Sequence, residues 1–301
     1  MVTARQLVHP GAATSMTARD TLRGMYRRLM RYRIFQPLHF VHRTISTWRA
    51  YIWPNMRTWI AWLFHSRENA NFTYAVTERC QIYFATGLSA LLGETPETIR
   101  KYMDEIQEDA EFQNHIRTAQ REHPLRYRTD PEPNVGRRMV WYAIVRMTKP
   151  ALVVETGVDQ GMGAVVLCAA LRRNAAEGHP GEYRGTDIDP QAGYFLKGEY
   201  AKFGKVLYGD SLQSLKTLDN IGVFINDSDH SAEYEQAEYE TIRDRLAPGA
   251  IILGDNAHVT SRLAEFSVRN GRRFLFLAEE PAHHWYRGVG VGVSAPAKPG
   301  P

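Results

Sequence analysis

Beyond Pro150, the chain alternates short apolar runs with segments whose apolar residues recur at helical spacing. Runs of this length, bounded by glycine or an acid, are typical of buried strands in a parallel sheet. They predict strands at 151–154, 183–186, 206–208, 222–225, 250–253, 273–278 and 289–294. The segments between them predict helices near 162–173, 190–203, 211–218, 231–246 and 259–270. This alternation indicates an α/β fold, with helices on both faces of a seven-stranded, mostly parallel sheet that ends in an antiparallel hairpin.

The first third of the chain has a different pattern. Across residues 34–63, apolar positions recur every three or four residues, which predicts an amphipathic helix or helix pair, kinked or divided by Pro54. Residues 68–93 are also predicted to be helical. The next helix is predicted to begin at Thr95-Pro96, an N-cap followed by proline at the first helical position, and its buried stripe runs to Ala110.

These patterns divide the chain into four parts. The predicted boundaries are a disordered tail at 1–18, a helical extension at 19–136, an α/β domain at 137–295 and a tail at 296–301. Within the extension, the proline-rich residues 123–136 are interpreted as a linker or an ordered lid. Residues 137–147 are predicted to form the helix that leads into the first strand.

Composition narrows the class of protein. The chain has 301 residues, 44% of them hydrophobic, which is ample for a globular core. Its two cysteines, Cys80 and Cys168, lie in apolar helical surroundings without metal-binding spacing, which favours a reducing compartment. The sequence has neither an N-terminal apolar signal region nor a long uncharged apolar run, so we expect a cytoplasmic protein, with peripheral membrane contact as a further option.

Charge is concentrated in a basic arm, residues 20–67, whose only acid is Asp20. Its arginines are interleaved with the tryptophans at 48, 53, 59 and 62. We favour an arm that packs against the rest of the chain or against a second subunit, as in a homodimer. The alternative is an interfacial helix that contacts an anionic membrane or a lipid-linked substrate. A basic arm alone is weak evidence for nucleic-acid binding, which we do not expect.

The stretch VVETGVDQGMGA, residues 153–164, carries the first chemical signal. An acid at the end of a predicted strand is followed by three glycines and the start of a helix. Glycines allow a ligand to approach the backbone closely, and a helix N-terminus offers free N–H groups to a carboxylate or phosphate. The spacing is not the GxGxxG of dinucleotide-binding proteins. The residues of interest are Glu155, Gly157, Asp159, Gly161 and Gly163.

Acids also follow the other predicted parallel strands. In an open α/β sheet, ligands bind beyond the carboxyl ends of the strands, so these side chains are expected to meet at one site. They are Asp187 after the second strand, Asp210 with Ser211 after the third, Asp227 with Ser228 after the fourth, and Asp255 with Asn256 after the fifth. The oxygens of Asp227, Asp255 and Asn256 form a ligand set that Mg²⁺ or another hard divalent cation prefers.

The ExGxxxG pattern resembles motif I of the class I S-adenosylmethionine (SAM)-dependent methyltransferases, which have a Rossmann-like fold. Residues 137–260, with TDIDP, DSDHSAEYE and LAPGAIILGDN, are similar to macrocin-type sugar and small-molecule O-methyltransferases. The Asp and Asp-Asn positions are similar to the metal site of catechol and caffeoyl-CoA O-methyltransferases. The basic arm lies outside this resemblance.

The resemblance implies roles for individual residues. Glu155, Gly157, Gly161 and Gly163 would hold the methionine part of SAM, Asp187 the ribose and Asp210 the adenine, with Asp159, Ser211 and Ser228 as further cofactor contacts. His230 falls where the catechol enzymes place a catalytic lysine. A neutral imidazole can accept a proton from a hydroxyl at neutral pH, so His230 is the predicted base, although it could instead have an orienting or capping role. Asp229, His258 and His283 are weaker candidates.

The sequence therefore predicts a divalent-metal-dependent and SAM-dependent O-methyltransferase that acts on a sugar-like or other diol-containing small molecule. One alternative is a metal-independent methyltransferase with a histidine base. Another is a SAM-binding assembly protein without catalysis. DNA adenine methylation is not expected, because the fourth strand ends in NDSDH and lacks the Pro-Pro-aromatic motif of such enzymes.

Overall fold

The computed structural model describes residues 18–69 and 71–297, with side chains from residue 21 onward. Of the predicted disordered tail at 1–18, residues 1–17 lie outside these residues, as does the end of the C-terminal tail, whereas Ala18 is the first residue of a helix. The chain divides into two compact units, Met1–Thr58 and Trp59–Pro301.

The second unit contains one seven-stranded sheet with the order β3-β2-β1-β4-β5-β7-β6. Strands β1 to β5 are parallel, and β7 is antiparallel to both of its neighbours. The predicted α/β class, the mostly parallel sheet and the final hairpin are therefore confirmed. The strands are β1 Leu152–Thr156, β2 Glu182–Asp187, β3 Gly204–Tyr208, β4 Ile221–Asn226, β5 Leu246–Gly254, β6 Arg273–Ala278 and β7 Gly290–Ala295.

Strand β1 shows why this sheet is covered on both faces. All five of its residues are buried, as expected for a central parallel strand. Successive side chains of a strand point to opposite faces. Val153 accordingly packs in one hydrophobic cluster with α7 and α8, and Val154 packs in the other with α10 and α11. The helices of the sheet domain are α7 Arg138–Thr148, α8 Met162–Ala176, α9 Ser211–Leu215, α10 Ala232–Ile242 and α11 Arg262–Arg269.

Three further helices precede the sheet: α4 Glu78–Leu92, α5 Pro96–Gln107 and α6 Ala110–Glu122. The start of α5 is as predicted, with the Thr95 hydroxyl capping the Thr98 N–H. Two expectations here were wrong. Helix α5 ends before Ala110 because the Asp109 carboxylate accepts from the Phe112 N–H and starts a new helix. Residues 68, 69 and 71–77 are not helical, and α4 begins only after the cap at Thr77.

The helix predicted at 190–203 is also absent from the described chain. This segment consists of turns and one short 3₁₀ helix, Tyr200–Phe203. The carboxylate of Asp187 accepts from the Asp189 N–H, and that of Asp189 accepts from the Gln191 N–H. Such local side-chain bonds compete with helical hydrogen bonds, and Pro190 limits the backbone further. The turns keep the segment close to the end of β2.

The N-terminal arm forms helices α1 Ala18–Leu29, α2 Gln36–Thr47 and α3 Trp53–His65. A π-helical turn, Trp48–Ile52, directly precedes α3, and Pro54 is the second residue of α3. The regular α-helical hydrogen bonding is thus interrupted just before Pro54, the residue at which the sequence predicted a kink or a division. No residue of α2 or α3 is buried.

Among the described helices, none is both long and apolar enough to span a lipid bilayer.

Candidate active site

A cavity of about 920 Å³ opens at the carboxyl ends of β1, β2 and β4. The loops after these strands form one wall, and side chains that include Phe72, Arg128 and Tyr286 form the other. Its volume is within the range of roughly 300–1,000 Å³ that is usual for small-molecule sites. Most predicted site residues line it, namely Glu155, Gly157, Asp159, Gly161, Gly163, Asp187, Ser211, Asp227, Ser228, His230 and Asn256.

The glycine-rich loop packs tightly at two positions. Gly157 has a φ of +80°, and a Cβ atom there would overlap the carbonyl oxygen of Asp227. Gly163 lies in the first turn of α8, where a Cβ atom would overlap the Glu155 carboxylate. Gly161, Met162 and Gly163 all line the cavity. The N-terminal turn of α8 therefore faces the cavity, where its N–H groups can bind an anionic group.

Glu155 lies beneath this loop and is only 1% exposed. Its carboxylate accepts a hydrogen bond of 2.5 Å from the Tyr183 hydroxyl. Burial raises the pKa of Glu155 to about 8, although the bond from Tyr183 opposes the rise. Glu155 thus supports the loop from the buried side.

Asp187 organises the same loop from the end of β2. One carboxylate oxygen accepts from the N–H groups of Val158 and Asp159, at 2.9 Å each, and the other accepts from the Asp189 N–H at 2.8 Å. Asp159 is also held by the side chain of Asn71, whose Nδ2 donates to it at 3.1 Å. Asp187 therefore fixes the loop and faces the cavity as well; its predicted contact with a ribose stays a prediction.

The side chain of Asp210 caps α9, because its carboxylate accepts from the Leu212 N–H at 2.8 Å. It also accepts from the Tyr234 hydroxyl at 3.1 Å. Gly209 and Ser211, its two neighbours, line the cavity. The predicted adenine contact of Asp210 stays a prediction, and the structure adds a capping role.

A buried carboxylate that the sequence analysis missed connects these loops. Glu238, on α10, is fully buried and accepts hydrogen bonds from four side chains. They are Thr156 at 3.0 Å, Ser228 at 2.9 Å, and Ser211 and Asn226. Burial raises the pKa of Glu238, and the four hydrogen bonds oppose this rise. Ser211 and Ser228, predicted as cofactor contacts, thus donate to Glu238 at the edge of the cavity.

Beyond β4 and β5, the structure brings together the predicted base and the predicted metal ligands. His230 Nε2 lies 2.9 Å from Asn256 Nδ2 and 3.8 Å from Asp227 Oδ1. Because an amide nitrogen only donates, Nε2 is the accepting nitrogen and Nδ1 carries the ring proton. Nδ1 lies 3.6 Å from Glu235 Oε1. The His230 side chain, 27% exposed, lines the cavity, and Asn256 binds its basic nitrogen.

The weaker candidates for the base lie elsewhere or have other roles. The Asp229 carboxylate accepts from the Ser231 N–H at 2.9 Å, just before α10. His258 and His283 are exposed, whereas the neighbouring His284 packs among aromatic rings. Of these histidines, the geometry favours His230.

Arg137 is the second important residue that the sequence analysis missed. Its Nε and Nη2 atoms donate to the two carboxylate oxygens of Asp255, which is fully buried. Burial alone would raise the pKa of Asp255, but the Arg137 guanidinium holds it below its ordinary value. The pKa of Asp227 is raised well above its ordinary value by burial and by the Asp255 carboxylate beside it. In the described part of the chain, no group of three or more His, Cys, Asp or Glu side chains is arranged to hold a metal ion.

Aromatic side chains form the wall opposite the strand ends. Phe72, Tyr74 and Tyr286 line the cavity, with Phe72 and Tyr286 ring centroids 5.3 Å apart. The Tyr74 hydroxyl donates to Glu279 Oε2 at 3.0 Å. Trp62, His284 and Trp285 pack behind them. Side chains before the sheet and side chains of the loop between β6 and β7 therefore meet at this wall.

Comparison with known proteins finds one matching family model. Residues 154–257 match a family model described as a methyltransferase domain. This range runs from β1 to the loop after β5, and the match confirms the methyltransferase resemblance that the motifs predicted. No match was found among curated proteins.

Several solved structures are similar to the chain. A methyltransferase from Geobacter sulfurreducens has a TM-score of 0.47 and 16% identity. The match covers 61% of this chain and 89% of the Geobacter protein. The methyltransferase PaMTH1 from Podospora anserina, bound to S-adenosylhomocysteine (SAH), has a TM-score of 0.45 and 17% identity. The match covers 63% of this chain and 88% of PaMTH1. The O-methyltransferase TomG from Streptomyces achromogenes, in complex with SAM, has a TM-score of 0.48 and 14% identity. The match covers 63% of this chain and 91% of TomG.

Proposed function

We propose that the chain is a SAM-dependent O-methyltransferase that acts on a hydroxyl of a sugar-like or other diol-containing small molecule. One observation carries this proposal: the glycine-rich loop, Asp187 and His230 face a single cavity at the carboxyl ends of the strands. This arrangement offers a donor site and a proton acceptor side by side. The methyltransferase-domain match over residues 154–257 supports the same reaction class.

Carboxylates in the cavity can bind the cationic part of a methyl donor. Asp159, Asp187 and Asp229 line it, whereas burial raises the pKa values of the other three acids there, Glu68, Glu155 and Asp227. SAM carries a sulfonium cation, which a carboxylate in a partly enclosed cavity attracts. The N–H groups in the N-terminal turn of α8 can bind the carboxylate in the methionine part of SAM.

The aromatic wall supports the acceptor class. Phe72, Tyr74 and Tyr286 line the cavity. Aromatic faces pack against the C–H face of a sugar or against another ring, while hydroxyl groups of the acceptor reach the polar strand ends. A hydroxylated ring compound fits both features.

In the proposed reaction, an oxygen lone pair of the acceptor hydroxyl attacks the sulfonium methyl carbon. The new C–O bond forms as the C–S bond breaks, and the bonding pair stays on sulfur to give neutral SAH. The hydroxyl proton moves to His230 Nε2, which the acceptor reaches by replacing the Asn256 amide there. Holding both reactants in one cavity supplies the in-line geometry that the transfer requires.

The divalent metal of the sequence-based hypothesis stays a prediction, and the described side chains do not fit it. Both carboxylate oxygens of Asp255 are bound by Arg137, and Asn256 directs its amide nitrogen to His230. We therefore derive no step through a metal ion and favour the metal-independent form with a histidine base. A SAM-binding protein without catalysis is the remaining alternative.

Calorimetric titration of SAM and SAH into the full-length protein tests the donor site. We expect binding of one ligand per chain, weakened at least about tenfold in Asp187→Ala because the loop after β1 loses its anchor. Asp219→Ala is the matched control, since Asp219 is exposed and pairs with Arg245 away from the cavity. If neither ligand binds, the proposed function is wrong. Transfer of a labelled methyl group to a panel of diols then separates the enzyme from the non-catalytic alternative.

A further inference from the structure

Arg137 is held by acidic partners on two sides. Its Nε and Nη2 atoms bind the two oxygens of Asp255, and its Nη1 atom lies 3.7 Å from Glu279 Oε2. The backbone N–H of Arg137 donates to Glu279 Oε1 at 3.0 Å. Glu279 is itself fixed by the Tyr74 hydroxyl at 3.0 Å and by the Val289 N–H at 3.2 Å. The guanidinium is thus fixed in one orientation.

This guanidinium occupies the position at which the sequence-based hypothesis requires a divalent ion. The Arg137 side chain is 12% exposed and the Asp255 side chain is fully buried, so little solvent screens their charges. A divalent ion bound to Asp255 would have to displace an existing bidentate ion pair, or would lie next to a fixed positive charge. Arginine stays protonated at any physiological pH, so this charge is permanent.

We propose that Arg137 supplies the fixed positive charge at the ends of β4 and β5 in place of a divalent metal ion. The proposal rests on the proposed methyltransferase function and concerns the acceptor side of the same cavity. Arg137 lines that cavity, and its guanidinium has five N–H donors, of which two point to Asp255. The other donors can bind the oxygen next to the reacting hydroxyl and stabilise negative charge there during transfer.

The first test is metal binding by the full-length wild-type protein after treatment with a chelator. Mg²⁺ and Mn²⁺ are titrated separately by calorimetry, with SAH present in each run. We expect no one-to-one site, and the same result for Asp255→Asn. A one-to-one Mn²⁺ or Mg²⁺ site that Asp255→Asn removes would overturn the proposal. This measurement needs neither an acceptor nor an Arg137 variant.

The second test removes the guanidinium. In Arg137→Ala, the carboxylates of Asp227 and Asp255 lose their cationic partner, and we expect Mn²⁺ affinity to rise at least about tenfold above wild type. The matched control is Arg138→Ala, because Arg138 also lines the cavity but packs over the Trp141 ring instead. A folded Arg137→Ala protein that binds Mn²⁺ no better than wild type would contradict the proposal. If this variant does not fold, the wild-type titration decides alone.

The two proposals fail in different ways. If SAH does not bind, the methyltransferase function is wrong. If SAH binds and the wild-type protein also binds Mn²⁺ through Asp255, only the role of Arg137 is wrong.

Discussion

His230 Nε2 lies 2.9 Å from Asn256 Nδ2, so the loops after β4 and β5 meet at one hydrogen bond. The Asn256 amide donates to the lone pair of Nε2, while Nδ1 lies 3.6 Å from Glu235 Oε1. The imidazole is therefore oriented before an acceptor arrives. This arrangement leads to the first prediction.

Replacing His230 by Gln should lower kcat about 10²–10⁴-fold, the usual contribution of a general base. Because His230 lies on the acceptor side, SAH affinity should change less than about threefold. Initial rates with an acceptor found by screening, together with calorimetry, measure both quantities. His258→Gln is the control, since His258 is exposed. Equal losses of rate in the two variants would remove His230 from the mechanism.

Glu155 should make stability depend on pH. Its pKa is about 8 in the folded protein, against an ordinary value of 4.5, because the side chain is buried. The folded state therefore binds the Glu155 proton more tightly than the unfolded state does, and protonation stabilises the fold. This stabilisation is complete below pH 4.5 and is lost as the pH rises to about 8. Urea unfolding between pH 5 and 9 measures this. In Glu155→Gln, the free energy of unfolding should fall less over that range; an unchanged slope would contradict the raised pKa.

Glu238 should be required for the structure of the cavity. Replacing it by Ala leaves four donors without their acceptor, which should lower the free energy of unfolding by about 3 kcal/mol or more. SAM affinity should also fall, because the Ser211 and Ser228 loops lose their common partner. Glu240→Ala, which removes only the surface ion pairs with Arg243 and Arg269 from the same helix, should cost less than about 1 kcal/mol. Similar losses in the two variants would mean that the buried network adds little.

The aromatic wall should affect binding of the acceptor and leave binding of the methyl donor unchanged. Phe72→Ala should raise the KM for a ring-containing acceptor about two- to tenfold, as expected from the loss of one aromatic contact. Its affinity for SAH should stay unchanged. Tyr83→Ala is the matched control because Tyr83 is 63% exposed on α4. An unchanged KM in Phe72→Ala would place the acceptor elsewhere.

Contact of residues 20–67 with an anionic membrane, the alternative to packing against a second subunit, can be tested by vesicle sedimentation. The apolar face of the arm is exposed, with Ile34 at 81% and Leu38 at 53%, and Trp48 and Trp53 stack at 5.1 Å. With its arginines, this face should bind vesicles that contain phosphatidylserine more than neutral ones, and salt should weaken the binding. Trp48→Ala should reduce it. A concentration-dependent dimer without vesicle binding would favour the subunit-packing interpretation, and equal binding to both vesicles would contradict the role of the arginines.

Some predictions failed where local side chains override periodicity. Residues 190–203 have helical spacing, but Asp187 and Asp189 bind backbone N–H groups within the segment and hold it in turns. In the same way, Asp109 starts a new helix inside a stripe that the apolar pattern continued. Periodicity reports which face is buried, whereas capping side chains decide where a helix begins and ends.

The sequence by itself determined the strands, the glycine-rich loop and the acids at the strand ends. These depend on interactions between near neighbours in the chain, which leave a local pattern. Only the tertiary structure decided the partners of Asp255 and of the loops. Arg137 is 118 residues from Asp255, and Glu238 is 82 residues from Thr156. Because such contacts form only after the sheet has assembled, no local spacing predicts whether a buried carboxylate binds a metal ion or an arginine.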